Sequence, residues 1–295
     1  MQSTSNSLGT IRALLAQAET ILAAAPHPER ARRDAEALLL YVLRLETPKR
    51  NRAWLLAHES DPPTPDVTAE LRAMIDRRAA GEPIQHITGE TEFYGLPFLV
   101  NRDVLIPRPE TELLVEKVFD LASQYRKPRI LDVGTGSGAI AVALAHERPE
   151  AIVTATDVSA AALRVARENA DRNGVANRIR FREGDLFNPV VGEQFDIIVS
   201  NPPYVPETDR DSLSIEVRKF EPAQALFAGA DGLAVYRQLI PAAFATLSAG
   251  GFVVFEIGYG QQEAVRTLMA EAGFEQIEFA ADLQGIARVA WARRA

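Results

Sequence analysis

Arg129-Ile130-Leu131-Asp132-Val133-Gly134-Thr135-Gly136-Ser137-Gly138 is the stretch on which the fold turns. An apolar run of strand texture enters three alternating glycines, and Ala139 to Glu147 then follows a helical pattern. A strand, a glycine-rich turn and a helix together let backbone amides approach a nucleotide-like ligand near a helix N-terminus. The dinucleotide fingerprint is G-x-G-x-x-G, whereas the third glycine here comes one residue early, at 138, so a dinucleotide ligand fits less well.

Downstream, the same logic repeats. Ala151 to Thr156 reads as a strand ending in Asp157, a carboxylate about twenty residues beyond the glycines that can accept ribose hydroxyls. Ile179 to Arg182 ends in Gly184-Asp185, where a second carboxylate can meet an adenine amine. Each acid taken singly also reads as a helix N-cap or a turn residue. Their recurrence at strand C-terminal ends favours binding, because ligands of open α/β sheets sit there. A further strand, Phe195-Asp196-Ile197-Ile198-Val199-Ser200, runs into Asn201-Pro202-Pro203-Tyr204. Two prolines fix φ and remove two N–H donors while keeping their carbonyls, so this strand ends in a rim of acceptors between an amide and an aromatic ring. Such a rim suits a planar NH2 group: its two N–H bonds go to the Asn201 oxygen and a proline carbonyl, leaving the face of the nitrogen open to an electrophile. The competing reading is a Pro-Pro strand terminator with a packing tyrosine.

Strands near 129–133, 151–156, 179–183, 194–199, 251–257, 274–279 and 286–292, with helices between most of them, predict an α/β fold with a mostly parallel, doubly wound sheet. The short Ala280 to Gly285 connection predicts that the last two strands form an antiparallel hairpin. Before this, Ile11, Leu14, Leu15, Ala18, Ile21 and Leu22, then Ala35, Leu38, Leu39 and Val42, recur at helical spacing. Pro48 and Asp61-Pro62-Pro63-Thr64-Pro65 punctuate these helices, and another is expected from Asp66 to Ala80, stopped at Gly81. Short β-like runs around Tyr94-Gly95-Leu96-Pro97 suggest a hairpin linker. The expected organisation is a helical domain over 1–84, a β-hairpin linker over 85–105 and an α/β domain over 106–295.

Composition narrows the function. A net charge of −8 and a pI of 5.2 argue against a broad nucleic-acid footprint. The excess acid belongs to the later residues, since 1–80 carry eleven Lys/Arg against ten Asp/Glu. Basic clusters at Arg30, Arg32, Arg33 and at Lys49, Arg50, Arg52 read as solvated helix faces or as contacts for an acidic partner. No segment has the unbroken apolar length of a membrane span, and Met1-Gln2-Ser3-Thr4-Ser5 lacks the features of a secretion signal, so a cytoplasmic location is expected. Zero cysteines exclude disulfides and thiolate zinc sites, and histidines 27, 58, 86 and 146 have no ligand spacing, so no metal is expected.

With these residues in place, the chain resembles the class I S-adenosylmethionine-dependent methyltransferases. Asp132 to Gly138 is similar to their cofactor loop, and Asn201 to Tyr204 to the signature of enzymes methylating nitrogen conjugated to an sp2 system. Gly81 to Gly89, Phe93-Tyr94-Gly95, Leu105 to Glu112, Glu221-Pro222, Ala225 to Gly229, Asp231-Gly232-Leu233 and Glu256-Ile257-Gly258 are similar to the PrmC/HemK protein-glutamine methyltransferases. The resemblance implies a Rossmann-like seven-stranded methyltransferase sheet and, as substrate, the Gly-Gly-Gln glutamine of class 1 peptide-chain release factors in translation termination, with no nucleic-acid or membrane partner. It implies S-adenosyl-L-methionine held by Gly134, Thr135, Gly136, Ser137, Gly138, Asp157, Asp185, Leu186 and Asn201. Leu186 stands where an aromatic is expected against adenine. Asn201, Pro202 and Tyr204 are the implied catalytic residues, and with Pro203 they bind the substrate. Pro107-Arg108-Pro109-Glu110-Thr111-Glu112 reads both as a helix start and as a segment closing over the cofactor, with no catalytic role for either acid; Glu221 reads as support for the site wall. Three alternatives stay open: a glutamine methyltransferase acting on a ribosomal protein, a DNA adenine methyltransferase, and a non-catalytic cofactor-binding module that docks to release factors.

Overall fold

Apolar periodicity in the first part of the chain closes into α1 (Ile11–Ala23), α2 (Ala31–Glu46), α3 (Arg52–Ala57), α4 (Pro65–Ala79) and α5 (Ile84–Thr88) in the computed structural model, which describes residues 9–47 and 50–295. Pro48 and Lys49 lie outside the described residues. The side chains of Thr10, Asn51 and Thr64 accept the first free N–H groups of α1, α3 and α4, contacts worth about 1 kcal/mol each. Leu15, Leu22, Leu38, Leu39, Leu71 and Ile75 form the core of this unit. Arg78, 3 % exposed, donates to Asp34 at 2.7 Å and lies 2.6 Å from Glu216. Glu216 belongs here because the helical unit comprises the residues up to Gly89 together with Ser214–Phe220, which contains α9 (Ile215–Phe220). The basic clusters are largely paired within the unit: Arg32 with Glu19, Arg50 with Glu46, Arg52 with Glu36.

Residues 85–88, expected in a β-linker, are helical; Pro83 precedes that turn and Gly89, at φ +76, ends it. The hairpin is shorter than expected: β1 (Glu90–Phe93) and β2 (Leu96–Leu99) join through Tyr94-Gly95, both at positive φ, the geometry of a two-residue hairpin turn.

The second unit, Glu90–Leu213 with Glu221–Ala295, contains α6 (Glu112–Ala122), β3 (Arg129–Val133), α7 (Ala139–Glu147), β4 (Ile152–Asp157), α8 (Ala160–Arg172), β5 (Ile179–Glu183) and β6 (Phe195–Ser200). It ends with α10 (Ala234–Thr246), β7 (Leu247–Glu256), α11 (Gln262–Glu271), β8 (Glu275–Ala281) and β9 (Ala287–Arg293). Seven strands run in the order β5-β4-β3-β6-β7-β9-β8. The first five are parallel, and β9 is antiparallel to both neighbours, as the short final connection predicted. Alternate residues feed two cores: Ile130 and Ile197 meet α6 and α7, whereas Leu131 and Ile198 meet α10 and α11. Burial on both faces explains the nearly unbroken apolar runs of these strands. The order reverses at β3, which pairs with β4 on one side and β6 on the other. A crevice therefore opens beyond the C-terminal ends of these strands.

Candidate active site

Four strand ends supply this crevice. After β3, the N–H groups of Gly134 and Thr135 both donate to the Thr156 carbonyl at 2.9 Å, which folds the loop back over β4. Gly136 and Gly138 have φ of +56° and +81°, and a Cβ on Gly138 would lie 3.0 Å from that of Ala166 in α8. A Cβ on Gly134 or Gly136 would meet nothing within 4 Å, because both border a cavity of about 250 Å³. Beneath the loop, the Thr135 hydroxyl donates to Asp132 at 2.6 Å. Burial pushes the Asp132 carboxyl up to about 7, with the Thr135 bond opposing and the charge of Asp157 adding. Asn169, fully buried in α8, donates to the carbonyls of Ser137 at 2.8 Å and Leu99 at 3.0 Å and accepts the Leu99 N–H at 2.6 Å. It fastens the glycine loop to the hairpin.

Asp157 at the end of β4 accepts from Gly136 N–H at 2.9 Å through one oxygen and from Ser159 N–H at 2.8 Å through the other. Burial raises its pKa and the backbone donors oppose it. A carboxylate offers about four acceptor sites, so both oxygens keep capacity for ligand hydroxyls. After β5, Asp185 is exposed and Leu186 is half-buried at φ +45°; both line the cavity. The open glycine faces, the acceptors of Asp157 and the aliphatic wall at Leu186, Val158 and Ile140 fit an adenosine-type ligand.

After β6, the Ser200 hydroxyl donates to the Val133 carbonyl at 2.6 Å and ties this strand end to the root of the glycine loop. Asn201 and Pro203 line the cavity, whereas Pro202 is buried. The Asn201 Nδ2 donates to the Thr111 hydroxyl at 3.2 Å, and that hydroxyl donates to Glu256 Oε2 at 2.6 Å. Tyr204 packs against the core shared with α10, and its hydroxyl donates to Glu256 Oε1 at 3.2 Å. Glu256, the last residue of β7, is 2 % exposed. Burial raises its pKa; the bonds from Thr111 and Tyr204 and the charge of Arg288 oppose this, and Glu110 adds to it. Gln261 holds the backbone of the same segment, donating to the Tyr204 carbonyl at 2.9 Å.

Of the residues expected to form the site, Gly134, Thr135, Gly136, Ser137, Asp157, Asp185, Leu186, Asn201 and Pro203 share the cavity wall. Gly138 serves as the N-cap position of α7, while Pro202 and Tyr204 are not on that wall. Arg108, in the segment before α6, binds both Glu221 oxygens, at 2.6 and 2.7 Å. Glu112 turns to the hairpin and accepts the Tyr94 N–H at 2.8 Å. Asn169, Glu256 and Gln261 carry no site role in the sequence, and Thr111 enters there only as part of the segment read as closing over the cofactor. Asn169 left a signal, a polar side chain on the stripe Ala162, Val165, Ala166, Ala170; Glu256 left another, an acid closing an apolar strand.

A model of the PrmC N-terminal domain matches residues 13–89 and one of the methyltransferase small domain matches 109–243. The release factor glutamine methyltransferase of Xylella fastidiosa (strain 9a5c) is 44% identical over 256 residues, 87% of this chain and 90% of that protein. Its counterpart in Geobacter sulfurreducens is 42% identical over 265 residues, 90% of each. Among solved structures, the hMettl16 catalytic domain in complex with a 3'UTR hairpin has a TM-score of 0.56 at 16% identity, covering 77% of this chain and 80% of that one, a likeness of fold alone.

Proposed function

The chain belongs to the release factor glutamine methyltransferases, and from that premise we propose that it methylates the side-chain nitrogen of the glutamine in the Gly-Gly-Gln motif of class 1 release factors, using S-adenosylmethionine. The observation that carries this reading is the shared wall: Gly134, Gly136, Asp157 and Asn201 border one cavity. The glycines and Asp157 hold the adenosine part, and Asp185 and Leu186 border the adenine.

An amide nitrogen is a weak nucleophile because its lone pair is delocalised into the carbonyl. When bound, the cofactor supplies an electrophilic methyl on a sulfonium and departs as the neutral thioether. Asn201 Oδ1 accepts one N–H of the substrate amide and the Pro202 carbonyl accepts the other, which orients the lone pair. These acceptors stabilise the positive charge that develops on nitrogen before it sheds a proton, and a preorganised contact of this kind is worth about 100-fold to 1000-fold in turnover. The helical unit, 1–84 in the sequence reading, recognises the release factor, and remote contacts there supply orientation at the reacting centre. The enzyme works in the cytoplasm, where release factors act. No helix among the described residues is long and apolar enough to cross a membrane.

The test is single-turnover transfer of labelled methyl to purified release factor at saturating cofactor. The wild-type chain should label the Gly-Gly-Gln glutamine, and Asn201→Ala and Asn201→Asp should each lose about 100-fold in rate. Near wild-type rates for both variants would reduce the proline rim to a strand terminator.

A further inference from the structure

A side-chain amide can present either its oxygen or its NH2 to a substrate, and only the oxygen can accept an amide N–H. Something must therefore hold Asn201 the right way round. Its Nδ2 lies 3.2 Å from the Thr111 hydroxyl oxygen. That hydroxyl has a single proton, and the proton is committed to Glu256 Oε2 at 2.6 Å, a length in the range of O–H···O⁻ bonds. The Tyr204 hydroxyl commits its proton to the other oxygen of the same carboxylate. With its proton spent, Thr111 can only accept, and the group of Asn201 that can donate to it is Nδ2.

We propose that Thr111 and Glu256 are positioning residues that set the polarity of the Asn201 amide, turning Nδ2 inward and leaving Oδ1 for the substrate N–H. The inference rests on the reading of Asn201 as the acceptor for the substrate amide and adds the source of its orientation. The relay joins three strand or helix ends distant in sequence: the start of α6, the end of β6 and the end of β7. Thr111 borders the cavity beside Asn201, whereas Glu256 lies off its wall, so loss of the Glu256 carboxylate should appear in kcat. Glu256→Gln keeps the shape but can donate to Thr111; the hydroxyl proton is then released toward Asn201 Oδ1, which turns the amide over.

Two measurements on the full chain test this. In single-turnover methylation, Thr111→Val and Glu256→Gln should lower the rate about 10-fold to 100-fold, with S-adenosylhomocysteine affinity nearly unchanged in Glu256→Gln, and Thr111→Ser should retain most of the rate. In 15N-labelled protein, the Asn201 side-chain NH2 resonances, assigned by their loss in Asn201→Ala, should shift in both Thr111→Val and Glu256→Gln and stay in Thr111→Ser. Wild-type rates in the isosteric Glu256→Gln, or unmoved Asn201 resonances, would overturn the relay. A wild-type chain that methylates no release factor would remove the functional reading instead, and the resonances would still decide whether Thr111 holds Asn201.

Discussion

Replacing Asp157 by Ala should separate cofactor binding from folding. The carboxylate takes Gly136 N–H at 2.9 Å and Ser159 N–H at 2.8 Å, and it borders the cavity. A hydrogen bond to a charged acceptor contributes about 1.5–3 kcal/mol, and Ala removes the acceptor proposed for two ribose hydroxyls while also releasing the Gly136 end of the loop. One such bond alone sets a floor of about tenfold in Kd, and two lost bonds with a loosened loop reach about 1000-fold or more. Asp157→Asn should fall between: its single carbonyl oxygen can serve one of the two backbone N–H groups, and its NH2 faces the other. Calorimetric titration with S-adenosylhomocysteine measures the loss, and thermal unfolding of the free proteins shows whether the variants are folded. A folded Asp157→Ala protein that binds within about twofold of wild type would remove Asp157 from the cofactor site, since even the weakest charged bond exceeds that difference.

Two further outcomes follow from the buried polar residues beneath the loop. The Asp132 carboxyl titrates near 7 in the folded protein against an ordinary value of 3.8; the folded state thus binds the extra proton between these values, and stability is lost as pH rises from about 4 through about 7, by up to about 4 kcal/mol. In urea titrations of the cofactor-free protein, Asp132→Asn should therefore lose less stability than wild type between pH 5 and 8, and parallel losses would contradict the assignment. Asn169→Ala removes three buried hydrogen bonds and strands the Ser137 and Leu99 partners; it should cost about 3 kcal/mol in unfolding free energy and weaken cofactor binding, whereas loss of stability with unchanged affinity would confine Asn169 to the scaffold.

The central strands β3, β6 and β7 were legible because they are buried on both faces and so read as apolar runs, and three of the runs end in residues that break a strand: glycines at 134–138 after β3, Gly184 after β5 and Pro202-Pro203 after β6. Asp157 was legible for the same reason, as an acid at a strand end. The sequence overstates the hairpin linker because Ile84–Thr88, with Ile87 buried in the helical core, is a five-residue turn of helix that carries no periodicity of its own. The membership of Ser214–Phe220 in the helical unit left no compositional mark; it depends on Glu216 meeting Arg78 and on a Cβ-free Gly81, where an added Cβ would lie 2.8 Å from the Ile215 side chain.

The relay behind Asn201 was illegible for a different reason. Thr111 and Glu256 are 145 residues apart, and each has a sufficient local reading, Thr111 as a first-turn helix residue and Glu256 as the polar end of a strand. Their function exists only in the order of proton donation among Asn201, Thr111, Glu256 and Tyr204, which no spacing encodes. The sequence does register the cost of such a network. A carboxylate that is 2 % exposed at the end of Phe252-Val253-Val254-Phe255 is tolerable only if hydrogen-bond donors meet it, and its two nearest donors are hydroxyls from the two segments that flank the substrate's place, the start of α6 and the rim after β6. Two of the buried polar residues on otherwise apolar stripes, Asn169 beneath the glycine loop and Glu256 beneath the rim, depart from simple patterning, and both lead through a bonded neighbour, Ser137 or Thr111, to the same cavity.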